Sequence, residues 1–473
     1  MAALTPLSAP AASAAAASPR ATSFPSGEVT FLGHGNGPGY GMGQWGAFGY
    51  AADSHWTYQE ILSHFYSDAS HPVTMGKLSS ASDAETISVV IEENDNYTVT
   101  ETSPSSFTIV NQTGKTLASI KGGTAARAVH DATTGTWEVQ TGASCASTTS
   151  WKTVASGVAD PVAVPHSLSA TAPASRLLTL CEGDGTHVTF RGKIEAYDYY
   201  GANTGDAHLA RTLNLVPLEQ YVADVTTSES PAGWAAYGGT SKSPQDRPWG
   251  FQELEAQAVA VRSYVLYSIS VGGWYGYADI CDDTCQAYSQ GIANEKSVSR
   301  LAATDTAGEY LVQSAAPAPT EYESSSGGHT DTLAYPDGQS IFTAVSDTGD
   351  SVCRGGQSSL GCNPWHDWTA SVSVATVEAA YPSIGTLVSV KVTAKDVSGR
   401  VVSLELSGEK GSETLTGVAF IDKFAGFYST LFQVTDGPGS TAQAPLRLSP
   451  ADGPSRLSGH SPGGQLPVAL PRT

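Results

Sequence analysis

The chain has 473 residues, with 45 Asp and Glu against 24 Lys and Arg and a formal charge of −21 at pH 7. The acids are scattered, which excludes a nucleic-acid partner, since phosphate binding needs a basic surface. The length allows two or three average domains and a sizeable core, and no apolar run approaches the roughly 18 residues of a membrane span.

Residues 1–27 lack a basic n-region and a long apolar h-region, yet the Ala-Ser-Ala and Ala-Ala-Ala triplets match the small-residue end of a secretory signal. They read as a disordered leader remnant and point to export. Six cysteines, an even number, fit an oxidising compartment. Proximity suggests the pairs Cys145 with Cys181, Cys281 with Cys285 and Cys353 with Cys362.

Residues 28–68 hold a strand, Val29 to Leu32, followed by a loop with glycine at 33, 35, 37, 39, 41 and 43. Such a loop permits left-handed backbone and close approach by another surface. It is no phosphate loop, because no Lys-Ser/Thr pair follows the last glycine. The spacing predicts a helix from Gln44 to Ala52 and a second from Thr57, where Thr57 and Glu60 make a capping box ahead of Ile61, Leu62 and Phe65.

Residues 69–200 are β-rich. The runs ISVVI, YTVT, FTIV, WEVQ, HVTF and KIEAYDYY between Gly, Asn, Asp and Ser clusters mean antiparallel strands, a scaffold without a titratable cluster.

Residues 201–435 form the core, centred on Pro217 to Tyr267. Leu218, Tyr221, Val222 and Val225 recur at helical spacing, with Pro217 suited to the first helical position and a stop expected near Thr226. Ser230 is placed to cap a second helix starting at Pro231. Glu229 then sits on the bend, near the positive end of that helix, presented and not packed. Leu254, Ala258, Val261 and Val265 predict a longer amphipathic helix with Glu253, Glu255, Gln257 and Arg262 on its other faces.

Beyond it, Cys281 and Cys285 enclose three residues; a zinc reading needs further ligands, and no histidine lies in the segment. Glu321 to Thr332, EYESSSGGHTDT, reads as a strand ending in hydroxyls and two glycines, able to hydrogen-bond a polar chain at close range. Asp347 to Asp350 reads as a turn, and Trp365 and Trp368 are candidates for stacking on sugar rings. Leu387 to Ala394 and Val401 to Gly408 bracket a hairpin. Residues 436–473 are Pro/Gly/Ser-rich and expected to be disordered. The whole is expected to be α+β: an antiparallel β-rich scaffold with a few short helices and one longer helix around a substrate groove.

The runs LNLVPLEQYV, SESPAGW and LEAQAVAVRSYVL resemble the signature of the SpoIID/LytB family, the stage II sporulation protein D and amidase-enhancer proteins of bacterial cell walls. The resemblance implies a peptidoglycan lytic transglycosylase whose proposed catalytic acid falls on Glu229. It further implies substrate contacts at Trp234, Gln257, Arg262 and Tyr264, at Gln286 and Tyr288 of a C-Q-x-Y-like motif, and at Ser324, Ser326, Gly327 and Gly328 of an S-x-S-G-G-x-T-like block. His34 and Gln44 join them from the glycine loop, which is similar to the family's closing signature. There the usual histidine aligns on Pro38, and the loop precedes the catalytic segment where it normally follows it. The order resembles a circular permutation, which would bring Val29 to Leu32 near Leu431 to Val434.

Some family members hold metal near Cys281, which leaves a metal open beside the disulfide reading; no metal or cofactor is expected. Two functions are consistent with these residues. One is a secreted enzyme cutting peptidoglycan glycan strands through Glu229, the neighbouring Trp234 and Tyr221 supplying an apolar wall that keeps the acid protonated. The other is a non-catalytic wall-binding module that stimulates a cell-wall amidase.

Overall fold

The computed structural model describes residues 24–79, 86–332, 342, 344–353 and 361–435, so residues 1–23 of the leader reading and the 436–473 tail lie outside the described residues. The fold is α+β, as expected. Its described residues fall into two compact units, one built from 34–368 with 397–399, the other from 24–33, 369–396 and 400–435.

In the larger unit, alternating burial along short strands builds two sheets, for example buried Phe107 and Ile109 between more open Thr108 and Val110. The first sheet has the strand order 152–158, 136–142, 125–131, 99–102, 178–181, 187–190. The second runs 280–281, 86–90, 209–217, 193–199, 162–164, 107–110, 116–120. Neighbours with assigned register are antiparallel except Ile280–Cys281 beside Thr86–Val90. Ile87, Val99, Trp137, Leu180, Phe190 and Ile194 of these sheets share one apolar core with Tyr221, Leu254 and Val261.

Several strands here escape the alternation pattern, because runs such as AARAVHD and KTVASGV are too rich in Ala, Gly and Ser to announce themselves. The expectation of no titratable cluster is corrected as well. Asp198 accepts from His130 Nε2 at 2.8 Å and from His208 Nδ1 at 2.7 Å. Asp198 and His208 lie ten residues apart at the 193–199 and 209–217 strands of the second sheet, and His130 reaches them from the first.

The helices are α1, Gln44–Ala52; α2, Tyr58–Tyr66 with the Thr57–Glu60 capping box formed; α3, Leu218–Glu229; α4, Phe251–Ser270; and α5, Ser297–Asp305. The amphipathic expectation for α4 is corrected: every residue from Phe251 to Tyr264 is buried, polar ones included. A helix buried on all faces must pair its polar side chains internally. Arg262 accordingly gives Glu219 on α3 two bonds, Nε to Oε1 at 2.8 Å and Nη2 to Oε2 at 2.6 Å, and donates to Glu309 O at 2.8 Å. Ser263 Oγ accepts from the Leu311 amide at 2.8 Å.

In the smaller unit, Glu28–Gly33 is the middle strand between Trp368–Ser373 and Phe432–Val434. It pairs antiparallel with the latter, Phe31 opposite Val434 and Leu32 opposite Gln433, the neighbourhood expected from the permuted order. Phe31 is enclosed by Phe420, Phe427 and Phe432. The expected hairpin forms as Leu387–Lys395 with Val401–Gly408, joined by Ser412–Thr416, and α6, Val374–Ala380, and α7, Gly417–Lys423, complete the unit.

Cys145–Cys181, Cys281–Cys285 and Cys353–Cys362 are disulfide-bonded, matching the pairing suggested by proximity. Because Arg262 is fully buried and Glu219 is 22 % exposed, the pair is largely shielded from water, and removing one partner leaves the other without its counter-charge. Arg262→Ala is expected to lower unfolding free energy by about 3–5 kcal/mol in urea titrations.

Candidate functional site

Glu229 is the last residue of α3, not a residue on a bend between two helices. The helix runs past Thr226, and the hydroxyls there bond back to the preceding turn, Thr226 Oγ1 to Val222 O at 2.7 Å and Ser228 Oγ to Asp224 O at 3.2 Å. Ser230 is extended and caps no second helix; its hydroxyl turns inward and donates to Glu253 Oε1 on α4 at 2.6 Å. The chain then enters a 3-10 turn over Ala232–Ala236. The electrostatic sign near Glu229 is therefore reversed from the expectation, since the acid stands at the negative end of a helix.

Glu229 is half-buried, and its Oε1 accepts from the Ala287 amide at 2.8 Å. Beneath it lies a buried polar and aromatic wall. Tyr221 OH donates to Gln286 Oε1 at 2.8 Å, Tyr288 OH donates to Asn214 Oδ1 at 2.7 Å, and the two phenol rings lie 4.9 Å apart. Burial pushes the Tyr221 and Tyr322 phenols well above their ordinary range, and the charge of Glu229 adds to both. The carboxyl thus faces hydroxyls that stay protonated.

The turn after Glu229 is held by Trp234, 1 % exposed, which stacks on Phe48 of α1 at 4.7 Å and meets Trp45 edge-on at 4.8 Å. The glycine loop ahead of α1 lies along the serine–glycine block. Met42–Gly43 pairs with Tyr322–Glu323, Asn36 N–H donates to Ser325 O at 2.7 Å, and Trp45 N–H donates to Ser324 O at 3.0 Å. Gly35, at φ +77°, makes this approach possible: a Cβ there would stand 2.8 Å from Ser325 O.

Behind the block lie two acids that the turn reading left unassigned. Asp347 Oδ2 accepts from Ser326 Oγ, and Asp350 accepts from Ser325 Oγ through Oδ1, each at 2.7 Å. Asp350 Oδ2 also holds His366 Nδ1 at 2.8 Å. This last bond raises the His366 pKa and favours an imidazolium at a half-exposed ring. Their signal was the i,i+3 spacing of Asp347 and Asp350, with His366 inside PWHDW.

The structure therefore divides the expected contact residues. Ser324, Gly327, Gly328 and His34 keep solvent access. Trp234 is a core residue, and Arg262 is fully buried and paired with Glu219. Gln44, Gln257, Tyr264, Gln286, Tyr288 and Ser326 are buried and serve as wall or support. Trp368 is likewise buried, donating from Nε1 to Gly35 O at 2.8 Å. The Cys281 and Cys285 sulfurs are bonded to each other, which removes them as ligands.

Burial, reinforced by Asp350, pushes the Asp347 carboxyl up to about 8. A carboxyl raised above its unfolded value contributes stability that is full below about pH 4 and lost as pH rises through about 8. Asp347→Asn, which can still accept from Ser326, should gain on the natural protein by a few kcal/mol as pH goes from 5 to 9, measured as unfolding midpoints across that range.

Among the described residues, no helix is long and apolar enough to cross a membrane. Comparison with curated proteins gives no match. Residues 207–313 match the family model SpoIID, Stage II sporulation protein; the match takes in α3, Glu229, α4 and the Cys281–Cys285 loop but not the glycine loop or the serine–glycine block. That segment is a SpoIID domain, which relates the chain to sporulation and the cell wall.

Proposed function

We propose that the protein is a secreted lytic transglycosylase that cuts peptidoglycan glycan strands, with Glu229 as both general acid and general base. The observation that carries this reading is the placing of Glu229: a half-buried acid at the end of α3, over a wall of buried phenols. A transglycosylase needs one carboxyl where hydrolytic glycosidases usually need two, because no external water is activated. The protonated acid gives its proton to the glycosidic oxygen as the bond to C1 breaks. The resulting carboxylate then takes the proton of the same sugar's C6 hydroxyl, whose oxygen closes on C1 to form an anhydro ring. The carbonyl end of α3 favours the neutral acid at the start and a cationic sugar in transit. The Ala287 N–H holds Oε1 of the carboxyl and so orients the group for proton exchange. Three disulfides suit an oxidising, extracytoplasmic setting.

A second reading, a wall-binding module that stimulates an amidase, is favoured by one observation: the polar side chains nearest Glu229 on α4 and at Gln286 are buried, leaving few exposed groups to grip a sugar. Digestion of stripped glycan strands separates the two. Under the enzyme reading, mass spectrometry detects anhydro-muramyl ends, and Glu229→Gln lowers their release by about 10²-fold or more. Strand binding without such ends, unchanged in Glu229→Gln, rejects it in favour of the module.

A further inference from the structure

α4 carries a second carboxyl, tied to the end of α3 but unused by the chemistry above. Glu253 is fully buried. Its Oε1 accepts from Ser230 Oγ at 2.6 Å, and its Oε2 has no hydrogen-bond partner. Gln257 Oε1, one helical turn on, lies 3.5 Å from the same hydroxyl, and its Nε2 is also unpartnered. Ser230 directly follows Glu229, so this hydroxyl is a side-chain tie between the end of α3 and the central helix.

We infer that Glu253 is a positioning residue for Glu229: its uncharged carboxyl, through Ser230 Oγ, fixes the turn that ends α3, and ionisation of Glu253 loosens that turn. An ionised Glu253 would keep the Ser230 bond yet hold an unpaired oxygen in the interior, a state relieved only when the turn opens to water. Burial raises the Glu253 carboxyl to about 8, with Ser230 as the opposing influence. The charged groups on elements packed against α4 are Glu60 and His64 on α2, Glu219, Asp224 and Glu229 on α3, Arg300 and Asp305 on α5 and Glu309 on the strand Glu309–Gln313; α4 itself adds Glu255 and Arg262. None of them is a hydrogen-bond or ion-pair partner of Glu253, and none opposes its protonation. A carboxyl with its pKa raised keeps its uncharged form below about pH 8, so the tie holds there and weakens above.

As a role in turnover, this rests on the transglycosylase reading, and the test therefore has two readouts. In glycan digestion by the full chain, the natural protein should fall off more steeply above about pH 8, by about a further tenfold per pH unit beyond the loss set by deprotonation of Glu229. Glu253→Gln, the uncharged isostere, should keep the neutral-pH rate within about twofold and show only the fall set by Glu229, without the steepening above about pH 8. Glu253→Ala should lower kcat by about tenfold with KM nearly unchanged, rescue by Gln marking position rather than bulk. An identical alkaline limb in the natural protein and Glu253→Gln overturns the inference. Should no variant cleave glycan, the transglycosylase reading fails alone, and hydrogen exchange decides. After correction for intrinsic rates, the Ser230 and Ala287 amides should open above about pH 8 in the natural protein but not in Glu253→Gln. Equal protection in both overturns the inference.

Discussion

The larger unit depends on the burial of α4. Once a 20-residue helix is enclosed along most of its length, the polar side chains on it look to neighbouring elements for partners. Arg262 is answered by Glu219 on α3 and by the carbonyl of Glu309, Gln252 by the amide of Tyr58 on α2, and Ser263 by the amide of Leu311. The Ala260 carbonyl takes a further bond from Thr320 Oγ1 at 2.7 Å. Each answer recruits another segment, so the helix acts as a common reference for α2, α3 and the strand after α5. The position of Glu229 is inherited from that reference.

The candidate site then differs from its surroundings by degrees of access more than by composition. On one side, Tyr221, Gln286 and Tyr288 are sealed and mutually bonded. On the other, Trp45, Phe48 and Trp234 form an aromatic layer that also packs Trp365 and Val352, close to the Asp350–His366 pair. Glu229 is left half-open between rigid walls, an arrangement that fixes an acid without burying it. The same layer explains why the glycine loop belongs to this unit: α1 supplies two of the rings, and the loop ahead of it is fastened to the Tyr322–Ser325 backbone.

Much of this was legible in the residues. The Thr57–Glu60 capping box, the Gln44–Ala52 helix, the FTIV and HVTF strands and the disulfide pairs are local signals, and local signals survive folding. Glu229 stands out by its motif, but its local setting differs from the expected bend. Thr226, Thr227 and Ser228 look like helix breakers until their hydroxyls are seen bonding the previous turn or, for Thr227, the Asn294 carbonyl. The setting of Arg262 differs from expectation for the opposite reason. A charged residue on an apparently amphipathic helix reads as exposed, and only the enclosing elements reveal that it is interior. The Asp350–His366 pair and the joining of His130 to Asp198 and His208 are contacts that only the folded chain makes.

The small sheet has an order of assembly written into it. Its middle strand, Glu28–Gly33, is synthesised long before its two flanking strands, at 368–373 and 432–434. Until those arrive, Val29 and Phe31, both fully buried in the finished sheet, have nothing to cover them. Closing contacts across some 400 residues is also slow relative to local pairing. The apolar face of that strand can be covered only after the whole of the larger unit has been made.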